Sequence, residues 1–289
     1  MTLAPRTAAL IVNARSRTGH DAFRDACCLL KQNGIELTSA EAVSDPARLP
    51  DAVKAAVARG APMVIVGGGD GSLSSSVDYL AGKDTVFALL PLGTANSFAR
   101  TLGIPLDVEA AVNVIAEGSV RRIDLGMIDG DYFANCAAIG ISPLIAQTVP
   151  HGLKKWLGRP GYLAWAALQM VRFAPFRLTV GDETMDALEV RIANGGFHGG
   201  IELVEASVED GEIVVQAVIG TARTKLLWSW GLTLLGPDKA RGTVREFRGT
   251  SFRIVTDPPL PISIDGEVLA RTPVTARVAA RAMRMVLPS

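Results

Sequence analysis

Gly67-Gly68-Gly69-Asp70-Gly71-Ser72 follows the apolar run Pro62-Met63-Val64-Ile65-Val66 and precedes Leu73-Ser74-Ser75-Ser76-Val77-Asp78-Tyr79-Leu80. The first run is short and rich in β-branched residues, as a buried parallel strand is. The last reads as a helix, with Ser72 placed to cap it. A strand that ends in glycines just before a helix start makes a cradle for an anion. Without Cβ atoms the backbone N–H groups converge, and the helix dipole favours a phosphate there. Asp70 is the odd member. A carboxylate beside phosphates is repulsive unless a cation such as Mg2+ lies between them or the carboxylate orients a donor. Turns need glycines too, so the meaning of the loop has to come from the rest of the chain.

The 289 residues suggest one large or two modest domains with ample core. Hydrophobic residues make up 48% and mean hydropathy is +0.28, which raises the question of a membrane span. The most apolar helical stretch, Leu226 to Leu235, has about half the length a span needs and follows Arg223 and Lys225. The start, Met1-Thr2-Leu3-Ala4-Pro5-Arg6, lacks the basic, apolar, small-residue order of a signal peptide. Cys27, Cys28 and Cys136 form neither a disulfide framework nor a metal spacing, so a reducing, cytoplasmic setting is expected. Zero net charge argues against general nucleic-acid binding. His20, His151 and His198 are too scattered to suggest a metal cluster.

Charge is unevenly spread. Tyr132 to Gly181 contains no acid but holds Lys154, Lys155, Arg159, Arg172 and Arg177. Ile213 to Arg245 sets Arg223, Lys225, Lys239, Arg241 and Arg245 against Asp238 alone. Both regions carry tryptophans within apolar helical patterns, about Pro160 to Phe173 and Ala222 to Leu235. These helices are either core elements or the rim of an acyl-chain cleft resting on an anionic membrane surface.

Read in order, Ala8 to Val12, Ile35 to Thr38, Pro62 to Val66 and Val86 to Leu90 are strands, with helices at about Asp21 to Gln32 and Asp51 to Arg59. Strands alternating with helices predict a doubly wound parallel sheet, whose ligands sit at the carboxyl ends of the strands. Three polar turns fall at such ends: Asn13 to Gly19, Gly67 to Ser72 and Gly93 to Ser97. Past Asp124 the grammar changes to short strands broken by Asp129-Gly130, Gly181-Asp182, Asn194-Gly195-Gly196, Asp210-Gly211 and Asp265-Gly266. That predicts an antiparallel sheet or sandwich. The expected division is an α/β domain over residues 1–125 and a β-sandwich domain over 126–289, with the extreme C-terminal tail free to return to the first.

The order of signatures resembles the diacylglycerol kinase catalytic family, bacterial lipid kinases related to sphingosine and ceramide kinases. Gly68-Gly69-Asp70-Gly71-Ser72 is similar to its first loop, which NAD kinases share. Leu90-Pro91-Leu92-Gly93-Thr94-Ala95-Asn96 with Phe98-Ala99-Arg100 is similar to its second signature. Asp124-Leu125-Gly126, Gly199-Gly200, Asp210-Gly211 and Asp265-Gly266-Glu267 follow in the family's order. The resemblance implies a phosphoryl group passed from ATP to a lipid hydroxyl in an interdomain cleft. It implies that Asn13 and its turn, Gly68, Gly69, Asp70, Gly71, Ser72, Leu73, Gly93, Thr94 and Asn96 line the nucleotide. Asp70 and Asp124 would belong to a network linked to Mg2+, Asp210 would hold a separate structural Mg2+, and Asp265 or Glu267 would be the base.

Two departures stand out. Many members follow Asn96 with Asp where this chain has Ser97, which removes one carboxylate from the metal network. The first turn has Ala14 for a frequent Pro and Arg17-Thr18-Gly19 for Ser-Gly, so phosphate contacts there fall to Arg15 or Arg17. On plainer readings, Asp265-Gly266 is a type I′ hairpin turn, Asp124 a surface ion pair with Arg122, and Asp210-Gly211 a turn. The sequence thus predicts a cytoplasmic, peripherally membrane-associated lipid kinase using ATP and Mg2+. A kinase of the NAD kinase type and a catalytically weakened lipid- or nucleotide-binding protein are the alternatives. Nothing in the sequence decides whether it forms a homodimer or which lipid it takes.

Overall fold

The computed structural model describes residues 2–15, 17–141, 143–144 and 173–289. Four parallel strands build its first half: β1 (Thr7–Asn13), β2 (Glu36–Val43), β3 (Met63–Gly68) and β4 (Val86–Pro91). They lie in the order β2-β1-β3-β4. All residues of β3 and β4 are buried, which is why both runs are apolar throughout instead of alternating. Helices α1 (Arg17–Gln32), α2 (Leu49–Ala58) and α3 (Asp70–Leu80) make the crossovers. The chain leaves β1 for β2 and then returns to the other side of β1 with β3. At such a reversal the loops leaving β1 and β3 part to opposite faces and open a crevice at the strand tips.

α3 starts earlier than the sequence suggests. Gly69 is its N-cap residue and Asp70 its first residue, so Ser72 does not cap it. The Ser72 hydroxyl is buried in the first turn and accepts from Asn13 Nδ2 at 3.0 Å, so it is not available for capping.

After β4 come a one-turn helix, α4 (Ser97–Thr101), and α5 (Val108–Glu117). Strand β5 (Ser119–Ile128) then passes without a break through residue 125, where the domain boundary was expected. The antiparallel half contains β6 (Asp131–Phe133), β7 (Cys136–Gly140), β8 (Phe176–Val180), β9 (Glu183–Ala193) and β10 (Ile213–Ile219). Helix α6 (Arg223–Leu234) precedes β11 (Val244–Gly249), β12 (Ser251–Asp257), β13 (Pro261–Ile264), β14 (Glu267–Arg271) and the long β15 (Val274–Leu287). A small separate hairpin pairs Phe197–His198 with Ile201–Glu202. The fold is the α/β parallel sheet with an antiparallel sandwich that the sequence predicted. The other expected tryptophan helix, Pro160 to Phe173, and the cations Lys154, Lys155, Arg159 and Arg172 lie outside the described residues, apart from Phe173 itself.

The two halves share β15. Its first part pairs with β12 and places Val274 and Ala276 in the sandwich core. Its last part pairs with β5 and with β4, where Met285 stands beside Phe87, and sends Met283, Met285, Val286 and Leu287 into the parallel-sheet core. Between them the register against β5 shifts and Arg281 adopts a left-handed φ of 54°. One strand therefore changes core at a bulge, which redirects its side chains.

Candidate functional site

A cavity of about 630 Å³ opens at the tips of β1, β3 and β4, lined in part by Asn13, Arg15, Gly68, Gly69, Leu92 and Gly93. It lies where the strand order reverses. Gly69 and Gly93 meet without side chains between them: a Cβ on Gly69 would sit 3.0 Å from the Gly93 Cα. Asn13 ties the tip of β1 to α3, because its Nδ2 donates to Ser72 Oγ while its Oδ1 accepts from the Arg15 N–H at 3.3 Å. The first two N–H groups of α3, those of Asp70 and Gly71, have no partner within the helix and lie at the positive end of its dipole. Gly71 and Arg15 are exposed beside them.

Not every residue expected here lines the cavity. Leu73 is buried in the parallel-sheet core, and its N–H donates to Gly69 O at 3.2 Å. Ser72 is held by Asn13. Thr94 is exposed on its loop. The Arg17 side chain lies outside what is described. Asn96 works on its own turn: Oδ1 accepts from the Gly93 N–H at 2.9 Å and Nδ2 donates to Gly93 O at 2.8 Å.

With its side chain committed there, Asn96 gives α4 no cap, although it is the N-cap residue, with φ 48°. Asp70 supplies one from the neighbouring loop, its Oδ1 accepting from the Phe98 N–H at 3.2 Å. A carboxylate suits the positive end of a helix. Of the two explanations for an acid in a phosphate-type loop, orienting a donor is thus present in the protein itself. Ser97 accepts from the Gly200 N–H at 3.1 Å. Thr101 Oγ1 donates to Asn135 Oδ1 and accepts from the Phe197 N–H, both at 3.4 Å. So α4 joins the glycine loop to the 197–202 hairpin and to Asn135.

Asn135 leads to Asp265. Asp265 and Gly266 have φ of 44° and 99° and close a two-residue hairpin between β13 and β14, as a type I′ turn requires. The turn is also a clasp. Asp265 Oδ2 accepts from the Ala134 N–H at 2.8 Å, and Oδ1 accepts from those of Asn135 at 3.1 Å and Cys136 at 3.0 Å. Burial raises the Asp265 pKa above its ordinary value, against the pull of these N–H groups and of His198. Glu267, two residues on, is exposed. Burial also pushes the Cys136 thiol up to about 12, which keeps it protonated and unreactive.

The carboxylates named for Mg2+ do not converge. Among the described residues no group of three or more His, Cys, Asp and Glu side chains is placed to hold an ion. Asp124 is buried; its Oδ2 accepts from the Gly211 N–H at 2.7 Å and its Oδ1 from the Arg281 N–H at 2.6 Å. It is no surface ion pair, and Arg122 lies 3.8 Å from Asp84 instead. Asp210 is exposed and accepts from the Glu212 N–H at 3.1 Å within its own turn. Asp70 is the carboxylate left beside the cradle. A Mg2+ bound mainly through phosphates and water needs only one or two carboxylates, so this donor set fits an ion that arrives with a nucleotide. The cavity and the glycine approach fit the nucleotide's phosphates.

Sequence reading missed Asn135, Asn194 and Thr101. Asn194 is fully buried and its Nδ2 donates to Asp124 O at 3.1 Å and to Ala134 O at 2.8 Å. Both Asn residues stand at strand ends, where the sequence reads as an ordinary turn, as it did for Asn194-Gly195-Gly196.

Comparison with known proteins finds relatives for both halves of the chain. Residues 7–128 match the diacylglycerol kinase catalytic domain, and residues 137–287 match the YegS C-terminal NAD kinase beta sandwich-like domain. A probable lipid kinase YegS-like of Pseudomonas aeruginosa is 30% identical over 97% of this chain and 94% of its own. One from Cronobacter sakazakii is 31% identical over 90% and 89%. The fold matches a crystal structure of a diacylglycerol kinase from Bacillus anthracis with a TM-score of 0.78 at 23% identity, covering 98% of this chain and 97% of that one.

Because Asp124 serves the fold, Asp124→Ala is expected to lower stability by about 2–4 kcal/mol in urea melts. Asp124→Asn, which keeps one acceptor, is expected to cost less.

Proposed function

The chain belongs to the diacylglycerol kinase catalytic family, and we propose that it transfers the γ-phosphoryl group of ATP to a lipid hydroxyl. The observation that carries the reading is the cavity at the strand-order reversal, walled by Gly68, Gly69 and Gly93 and bordered by the opening turn of α3. Phosphoryl transfer asks a protein chiefly to position two substrates and to stabilise spreading negative charge. This chain offers backbone N–H groups, a helix dipole and the exposed Arg15 for the phosphates. Bound Mg2+ would neutralise phosphate charge beside Asp70. Asp70 holds α4 in place, and α4 in turn carries Ser97 and Thr101 to the segments that hold Asp265.

Asp265 is the proposed base. Among the described residues its Oδ2 accepts from one N–H only, which leaves a lone pair for the hydroxyl proton as the oxygen–phosphorus bond forms and ADP departs. Its raised pKa moves it toward the range where a carboxylate is an effective base. The lipid hydroxyl would come from the sandwich side. Ser97 supplies a hydroxyl for the Gly200 N–H where many members carry a further carboxylate, so the charge of this cleft rests on Asp70 and Asp265.

Labelled ATP offered with diacylglycerol, sphingoid base, ceramide, phosphatidylglycerol and NAD tests the reading. Labelled lipid is expected; labelled dinucleotide, or no product, would overturn it. Asp70→Ala is expected to abolish transfer while costing only about 1 kcal/mol of stability for the lost cap. Asp265→Asn is expected to lower kcat by roughly 10²–10⁴-fold. Because a base works ionised, wild-type turnover rises with pH through a pKa that burial holds above the ordinary carboxylate value, and the variant loses that limb. Glu267→Gln is expected to keep both rate and limb, and the opposite pattern would move the base to Glu267.

A further inference from the structure

Helix α6 is amphipathic in the reverse sense. Leu226, Ser229 and Thr233 face the protein, with relative exposures of 0%, 0% and 3%. Leu227, Trp228 and Leu235 face outward, at 55%, 65% and 66%. Positions 227, 228 and 231, continued by the C-cap residue 235, share one side of a helix. Scattered exposed apolar residues need no explanation, but a Trp and two Leu in one line on one helix are a patch.

The buried side accounts for its own polar atoms. Thr233 Oγ1 donates to Ser229 O at 2.8 Å, and Thr243 Oγ1 donates to Ser229 Oγ at 2.9 Å. Trp230 Nε1 donates to the buried Glu189 Oε2 at 2.8 Å. The helix is therefore fastened by hydrogen bonds, and its outward face is not what fixes it to the fold.

The charges around that face are complementary to an anion. Arg241 pairs with Glu205 and Asp238, and Arg245 pairs with Glu183. Arg223, Lys225 and Lys239 form no ion pair among the described residues, although Arg223 Nε donates to Phe173 O at 2.7 Å. Exposed Glu202, on the hairpin that α6 packs against, and exposed Asp186, whose C=O accepts from the Gly220 N–H beside the start of α6, are nearby acids with no ion pair among the described residues. No described helix is long and apolar enough to cross a membrane. An outward Trp and Leu line on a helix that also carries exposed Arg223 and Lys225 instead suits the boundary between headgroups and acyl chains.

We propose that the outer face of α6 seats the protein on an anionic bilayer, with Leu227, Trp228 and Leu235 entering the boundary and Arg223, Lys225 and Lys239 meeting headgroup phosphates. This rests on the lipid-kinase reading and extends it. The hairpin under α6 reaches α4 through Gly200 and Ser97, so the seated helix packs, by its inward side, on the segment that leads to the proposed site.

The test is sedimentation of the full chain with vesicles of phosphatidylcholine alone and of phosphatidylcholine mixed equally with phosphatidylglycerol. Wild type is expected to favour the mixed vesicles. Leu227→Ser with Trp228→Ser is expected to abolish that binding, and Lys225→Gln with Lys239→Gln to weaken it about thirtyfold, from roughly 1 kcal/mol per basic residue. Because all four side chains are exposed, unchanged thermal melts are expected. Undiminished vesicle binding by both variants would overturn the proposal. So would a wild-type dimer that the Leu227 and Trp228 changes convert to monomer without altering vesicle binding, which would assign the face to a second copy. Phosphorylation of a short-chain, water-soluble diacylglycerol is measured alongside. Its absence in every protein would count against the kinase reading alone, whereas undiminished sedimentation would count against the docking face alone.

Discussion

The carboxylate of Asp70 accepts the Phe98 N–H at 3.2 Å, and through this bond two loops from neighbouring strands share one helix start. Asn96 cannot serve in its place, since both ends of its amide are spent on Gly93. A capping acceptor of this kind is worth only about 1 kcal/mol, little beside a core of this size. Its importance is geometric. It sets the start of α4, while Asn96 sets the Gly93 turn against Gly69. The other contacts of α4 then follow: Ser97 to Gly200, and Thr101 to Phe197 and Asn135. Asn135 lies within the clasp of Asp265. A glycine-lined cavity and a candidate proton acceptor, far apart in sequence, are thereby fixed to one short helix.

A second constraint holds the halves together. β15 gives side chains to both cores, and the place where it changes from one to the other is pinned by Asp124 through the Arg281 N–H. The same carboxylate holds the turn at Gly211. A buried carboxylate with its oxygens engaged by backbone donors is costly to remove, because the donors are left without partners. The two halves are therefore joined by a strand that neither half owns, and Leu125, paired with Ala279, borders the place where its register shifts.

What could be read in advance follows from how local the cause is. Buried strands announce themselves as apolar runs, and glycines at their ends announce close backbone approach, so the parallel sheet and its three polar turns were legible. The hairpin at Asp265-Gly266 was legible for the same reason, since positive φ favours that pair. Partners distant in sequence were not. Ser72 has the chemistry of a cap, but Asn13 claims its hydroxyl. Asp70 showed an anomaly without showing that Phe98 answers it. Asp124 was read as part of a metal-linked network or as a surface ion pair, and its backbone donors, Gly211 and Arg281, lie too far along the chain to be read from the sequence. The outward face of α6 was hidden too: its Trp and Leu content suits a core helix equally well, and the buried Ser229 and Thr233 reveal which side is which only once the helix is placed.

The most direct test of this account is a crystal structure of the protein with Mg2+ and a non-hydrolysable ATP analogue. The account predicts the phosphates in the cavity between Gly69 and Gly93, against the opening turn of α3, with Asp70 still bound to the Phe98 N–H and beside the ion. Phosphates bound elsewhere, or a cavity that closes when the nucleotide binds at another surface, would contradict it.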